Sequence, residues 1–133
     1  MSTIETPAPH EAVLAFMQTV LGEEGAQGWP LNVWSNAAEA SHVIKAGAGR
    51  LFGFTVYNSA GAAQFIQLHD AISLPADGAV PSFVVKVATV ADKGVFWGDW
   101  GRFFSRGIVI CNSSTFATKT IGAADCFFDA QYL

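Results

Sequence analysis

Gly101-Arg102-Phe103-Phe104-Ser105-Arg106-Gly107-Ile108-Val109-Ile110-Cys111-Asn112-Ser113-Ser114, continuing to Ile121, is the stretch that decides the fold. It is the most apolar, β-branched region of the chain, and it is too short and too closely bounded by turn residues to be a helix. It reads as a central strand, Phe103 to Cys111, broken by a turn at Asn112-Ser113-Ser114. Ile108 and Ile110 share one face and Val109 and Cys111 the other, while Arg106 and Lys119 flank the strand as charges facing solvent or a partner. A strand apolar on both faces has to be covered on both, or by a second sheet on one side and a neighbouring subunit on the other.

The rest of the body has the same character. Strands are predicted at His42 to Ala46, Leu51 to Asn58, Ala63 to Ala71, Phe83 to Val90, Gly94 to Trp97 and Asp125 to Tyr132. Turn signals separate them at Gly47-Ala48-Gly49, Asn58-Ser59-Ala60-Gly61, Pro75-Ala76-Asp77-Gly78 and Asp92-Lys93-Gly94. With no helical crossover between them, these short strands predict an all-β fold, an antiparallel β-sandwich of seven or eight strands, jelly-roll-like or Greek-key. Period-two alternation puts Phe52, Phe54 and Val56 on one face of their strand. In the last strand it sets Cys126, Phe128, Ala130 and Tyr132 against Asp125, Phe127, Asp129 and Gln131. The expected core is Phe54, Val56, Ile66, Leu68, Val85, Val87, Ile108, Ile110 and Phe128.

Upstream the pattern changes. Residues 1 to 9, with Pro7 and Pro9, read as an extended arm, and Val13, Phe16, Met17, Val20 and Leu21 recur at helical spacing from His10 until Gly22 ends the run. A helix that short has to dock on something to be stable. Residues 22 to 40 form a glycine-rich connector in which Trp29 and Trp34 are either linker anchors or core residues of a short strand, Leu31 to Trp34. The expected organisation is an arm, helix and linker over 1–40, carrying attachment or oligomer contacts, and a sandwich body over 41–133.

Composition narrows the function. Seven basic against eleven acidic residues give a formal charge of −4, which disfavours nucleic acid and anionic membranes as partners. Only 14% of the 133 residues are charged, against about 25% in an ordinary globular chain, and 51% are hydrophobic with 11 phenylalanines. That is more apolar surface than one small core needs, so some is expected to be buried between subunits. Cys111 and Cys126 read as buried free thiols. The start Met1-Ser2-Thr3-Ile4-Glu5 has no basic or apolar leader character, and no run approaches a membrane span, so synthesis in a host cytoplasm is expected. Asn112-Ser113-Ser114 matches the glycosylation sequon but reads as a turn.

No catalytic or metal-binding pattern emerges. His10, His42 and His69 fall on different elements without ligand spacing and read as solvated or interface residues, and His69 and Asp70 point to opposite faces of a strand. Asp99, Asp125 and Asp129 match no calcium loop. No cofactor is expected, and the chain reads as non-enzymatic. The cluster with functional promise is Phe96-Trp97-Gly98-Asp99-Trp100-Gly101-Arg102-Phe103, bordered by Lys93 and Arg106, whose aromatics could anchor a protein interface or stack on sugar rings.

Three segments carry a resemblance. They are Ile44-Lys45-Ala46-Gly47-Ala48-Gly49-Arg50-Leu51-Phe52-Gly53-Phe54 with Tyr57 through Asp70, Leu74-Pro75-Ala76-Asp77-Gly78-Ala79-Val80-Pro81, and Gly107 to Ser114 continuing through Thr118 to Phe128. Over residues 43 to 133 the chain resembles small β-sandwich structural proteins of tailed bacteriophage virions. The resemblance implies a head decoration or cement protein, or a fibre, neck or tail component. It also implies location on the virion, homotrimers, and contacts with the major capsid or other virion proteins, with host polysaccharide as a further partner of a fibre component. The expected contact residues are Val13, Phe16, Met17, Val20, Trp29, Trp34, Phe96, Trp97, Trp100, Arg102, Phe103 and Arg106.

Overall fold

The structure, a computed structural model, describes residues 29–133. The expected helix, with Val13, Phe16, Met17 and Val20, and the arm before it lie outside the described residues. Among those described run nine strands: β1 (Leu31–Trp34), β2 (Ser41–Lys45), β3 (Gly49–Asn58), β4 (Gln64–His69), β5 (Phe83–Val87), β6 (Ala91–Phe96), β7 (Arg102–Phe104), β8 (Ile108–Ser113) and β9 (Cys126–Tyr132). They form two sheets packed as a sandwich. Sheet A has the order β1-β9-β3-β6, with β7 also on β3, and sheet B the order β2-β8-β4-β5; β2 through β9 pair antiparallel. Asn32–Tyr132 is one compact unit.

Alternation builds the core as expected. Leu51, Phe54, Val56, Phe104 and Phe128 from sheet A meet Ile44, Ile66, Leu68, Val87, Ile108 and Ile110 from sheet B. Each such side chain taken out of water contributes about 1.5–3 kcal/mol. Val85 is only half-buried because β5 is the edge of its sheet. On β3 a bulge between Leu51 and Gly53 shifts the alternation, so Leu51 enters the core instead of Phe52.

The deciding stretch is two strands, not one. Asp70 accepts hydrogen bonds from the backbone N–H groups of Ser105 (3.2 Å), Arg106 (2.8 Å) and Gly107 (3.2 Å), and from the Ser105 hydroxyl (2.9 Å). These donors are thereby withdrawn from any ladder, and the chain passes from β7 in sheet A to β8 in sheet B. A Cβ on Gly107 would lie 2.3 Å from the Ala71 carbonyl oxygen, so only glycine fits the crossing. Burial works against the Asp70 charge, but these hydrogen bonds outweigh it and hold the carboxyl below its usual range.

Two expected turns are strand. β8 runs on through Asn112 and Ser113, whose polar side chains are satisfied from the loop beyond: Asn112 Nδ2 donates to the Ala123 carbonyl (2.8 Å), and Ser113 Oγ accepts from the Thr120 N–H (2.9 Å). Asp92, Lys93 and Gly94 lie inside β6. The chain reverses earlier, at 88–90, where Val90 adopts a left-handed φ of 48° that no glycine advertises.

The second face of β8 is closed by the chain itself. Residues 74–80 and 114–121 lie over it, joined to each other where the Gly78 N–H donates to the Lys119 carbonyl and the Lys119 N–H to the Ala79 carbonyl, both at 2.8 Å. Beneath them Val109 and Cys111 are fully buried. Gln67 Nε2 donates to the carbonyls of Thr115 (3.0 Å), Phe116 (3.2 Å) and Thr118 (3.1 Å). Its oxygen accepts from His69 Nε2 (3.0 Å), which places that ring's proton on Nε2. Lys119, expected to face solvent or a partner, is buried within the chain instead and pairs with Asp77; His69 is buried as well. Burial, and then the Lys119 charge, lower the His69 pKa from its ordinary 6.5.

Candidate docking surface

Among the described residues, none forms such a cover over the outer face of sheet A. Its residues are those whose neighbours along each strand point into the core, and the antiparallel registers arrange them in rows: Asp92, Tyr57 and Phe127 in one, Gly94, Thr55 and Asp129 in the next, Phe96, Gly53 and Gln131 in the third. Further along β3, Arg50 faces outward opposite Phe103, because Leu51 and Phe104 beside them are both core. Trp34, Tyr57, Phe96, Phe103 and Phe127 stand exposed on this face at 56, 39, 66, 68 and 39%.

Two features shape it. Trp34, Tyr57 and Phe127 line a groove of about 520 Å³ together with Thr55, Asp92, Lys93, Gly94 and Asp129. The Tyr57 and Phe127 rings lie 6.3 Å apart, tilted by 35°. In the middle of the face the Phe96 ring lies flat over two glycines: a Cβ would come within 2.2 Å of it at Gly53 and 2.9 Å at Gly94. Those glycines are what allow an aromatic side chain to cover bare backbone between strands.

At the far end of β3 the chain leaves the ladder between β6 and β7. Gly98 and Gly101 adopt φ of 77° and 71°, turning it out and back, and Trp100 between them is 81% exposed. Arg50 lies 5.6 Å from the Phe52 ring centroid and donates from Nη1 to the Trp100 carbonyl at 3.4 Å, which ties the loop to the outer side of the sheet.

The structure separates the sequence-predicted contact residues that it describes. Trp34, Phe96, Trp100 and Phe103 are exposed on or beside the outer face of sheet A. Trp97 turns inward and closes one end of the core: its ring is 6.1 Å from Phe54 and 5.1 Å from Phe83, edge-on to the latter. Arg102 belongs with it, 5.8 Å from the Trp97 ring and 5.6 Å from Phe83, donating from Nη2 to the Ser82 carbonyl at 2.8 Å. Arg106 is exposed elsewhere, beside a hollow with His69, Asp70 and Ser82. Trp29 is exposed. The reading of Leu31 to Trp34 as a strand holds, but Trp34 is not a core residue.

Sequence reasoning missed the groove. Alternation did set Phe127 and Asp129 off the core side of β9, and Thr55 and Tyr57 off that of β3. Reading Asp92-Lys93-Gly94 as a turn hid the strand that completes it. Cys111 and Cys126 are free, buried thiols, pushed by that burial up to about 11 and about 12. Among the described residues no group of three or more His, Cys, Asp or Glu side chains is gathered to hold a metal ion. No protein-family model matches the chain, and no match was found among the curated proteins or the solved structures.

Proposed function

We propose that this chain is a non-enzymatic structural protein of a tailed-bacteriophage particle, a capsid decoration or cement protein that stabilises the head. The observation that carries the reading is the unequal treatment of the two sheets. Sheet B closes its outer face with its own loops, whereas sheet A leaves five aromatic side chains of its strands open on one face, with Trp100 beside them. An open aromatic face of that extent marks a surface that works by being covered. The resemblance over residues 43 to 133 supplies the particle and implies the major capsid protein as the partner.

The test is made on particles grown from the genome that encodes the chain. Deleting its gene should yield heads that lose DNA at lower temperature, and supplied wild-type protein should restore them, whereas Phe103→Glu protein should not. Purified particles that lack the protein in stoichiometric amount overturn the reading.

A second placement, as a fibre, neck or tail component with a carbohydrate-binding sandwich, is favoured by the groove. Aromatic faces beside the acceptors Asp92, Asp129 and Thr55 suit a pyranose ring. A saturable change in tryptophan fluorescence with host polysaccharide, lost in Trp34→Ala, supports that placement; no change removes it.

A further inference from the structure

The groove and the Trp100 loop lie at opposite ends of the same face, and their charges differ. The groove end carries Asp92 and Asp129 against a single cation, Lys93; the loop end carries Arg50, outward on β3 and holding the Trp100 carbonyl, with Asp99 beside it in the loop. We propose that this face closes on the same face of a second copy of the chain. The two A sheets would stack with strands antiparallel about a two-fold axis, so that the Trp100 loop of each copy enters the groove of the other. This rests on the reading of that face as a surface that works by being covered, and names a second copy, in place of the capsid protein, as what covers it.

Three observations select a second copy. The first is position. A two-fold axis lying in the plane of the face, across the middle of β3, exchanges the strand's ends and brings position 50 opposite position 57. Trp100, the most exposed large apolar side chain among the described residues, then faces a groove of about 520 Å³ walled by Trp34, Tyr57 and Phe127. An indole held between aromatic walls, with its ring edge toward their faces, is a favoured geometry.

The second is charge. The same exchange sets Arg50 of one copy beside Asp92 of the other, since Asp92 is the register partner of Tyr57 on β6. Within one chain these groups sit at opposite ends of the face and do not pair. A chain of net charge −4 repels its own copies unless opposite signs are brought together where they touch, and this arrangement does so twice.

The third is area. Trp34, Tyr57, Phe96, Trp100, Phe103 and Phe127 are between 39 and 81% exposed. At about 150–250 Å² for each aromatic side chain, they present roughly 500–900 Å² per copy. A stable interface buries about 800 Å² on each partner. β9 and β3, at the centre of the face, are paired on both sides, so the contact there is made by side chains, as between stacked sheets. A closed pair follows from the placement as well. Groove and loop share one face and look the same way, so one partner engages both, whereas a head-to-tail ring needs the two features on different sides. This departs from the trimer that the resemblance implies.

Sedimentation and light scattering of the full-length chain at micromolar concentration test the pairing. The expected mass is that of two 14.1 kDa chains. Trp100→Glu at the loop, and Thr55→Arg in the groove, should each raise the dimer dissociation constant at least tenfold, with far-ultraviolet circular dichroism unchanged. Arg50→Glu should weaken the dimer, and adding Asp92→Arg should restore it, a rescue that a folding defect would not show. A wild-type chain that stays monomeric, a mass of three or more chains, a dimer indifferent to both single substitutions, or no rescue by the double reversal overturns the proposal. A chain that is monomeric in solution yet enters particles overturns this pairing alone and leaves the particle assignment standing.

Discussion

Replacing Gln67 by Leu tests whether the loops over sheet B are held by one buried amide. Gln67 is fully buried on β4 and its Nε2 reaches three loop carbonyls, at Thr115, Phe116 and Thr118. Two amide protons can make two full hydrogen bonds at a time, and losing them costs about 1 kcal/mol each. Those carbonyls belong to exposed residues and regain water, so they add little. The His69 Nε2–H does not. With the Gln67 oxygen gone it is left buried without its acceptor, which costs about 1–3 kcal/mol more. Leucine has a similar shape and leaves no large cavity, so the expected loss is about 3–5 kcal/mol in a urea titration of the full chain. In a unit of this size that lowers the melting temperature by more than about 10 °C. Hydrogen exchange should locate the damage: the Gly78 and Lys119 amides, which join the two loops, should lose protection before the amides of β3 and β9. A loss below about 0.5 kcal/mol, the range of an ordinary surface substitution, refutes the account, and so does unchanged exchange at those two amides.

Other expectations follow from the same packing. Ile110→Ala, at a fully buried site where the two sheets meet, should cost about 2–5 kcal/mol, measured by the same titration. His69 is held neutral in the folded chain, with its pKa lowered by burial and by Lys119, so the unfolded chain binds the extra proton first. Stability should therefore fall as pH drops through 6.5 toward the folded value and level off below it, and His69→Gln should flatten that part of the profile; stability that rises on acidification there contradicts the assignment. Cys111 and Cys126, buried and pushed up to about 11 and about 12, should resist a thiol reagent at pH 8 until denaturant is added; labelling of the native chain as fast as of the unfolded one would show that they are not enclosed.

The class of fold was legible from side-chain periodicity alone. Alternation in Phe54-Thr55-Val56 and in Cys126-Phe127-Phe128-Asp129-Ala130 fixes which side of a strand is buried whatever the strand pairs with, since the pleat has a period of two. Where backbone geometry departs from that period, the sequence misleads. The bulge on β3 exchanges Phe52 for Leu51, and the reversal at Val90 uses a left-handed residue that resembles any other strand valine.

The sequence by itself determined that the chain would form antiparallel β-structure around an aliphatic and aromatic core, because the burial of every second side chain is a local property. Tertiary structure alone decided which leftover surfaces stayed open. Lys119 reads as a charge for solvent or a partner, yet it is buried within the chain, where Asp77, 42 positions away, comes to neutralise it. Phe103-Phe104-Ser105-Arg106-Gly107 reads as strand, yet Asp70, just past the end of β4, takes the amides of its last three residues. The groove draws Trp34, Thr55, Tyr57, Gly94, Phe127 and Asp129 from four strands, and no window of sequence contains it. In each case the deciding term is a contact between residues far apart in the chain, whose free energy exists only once the loop between them has closed.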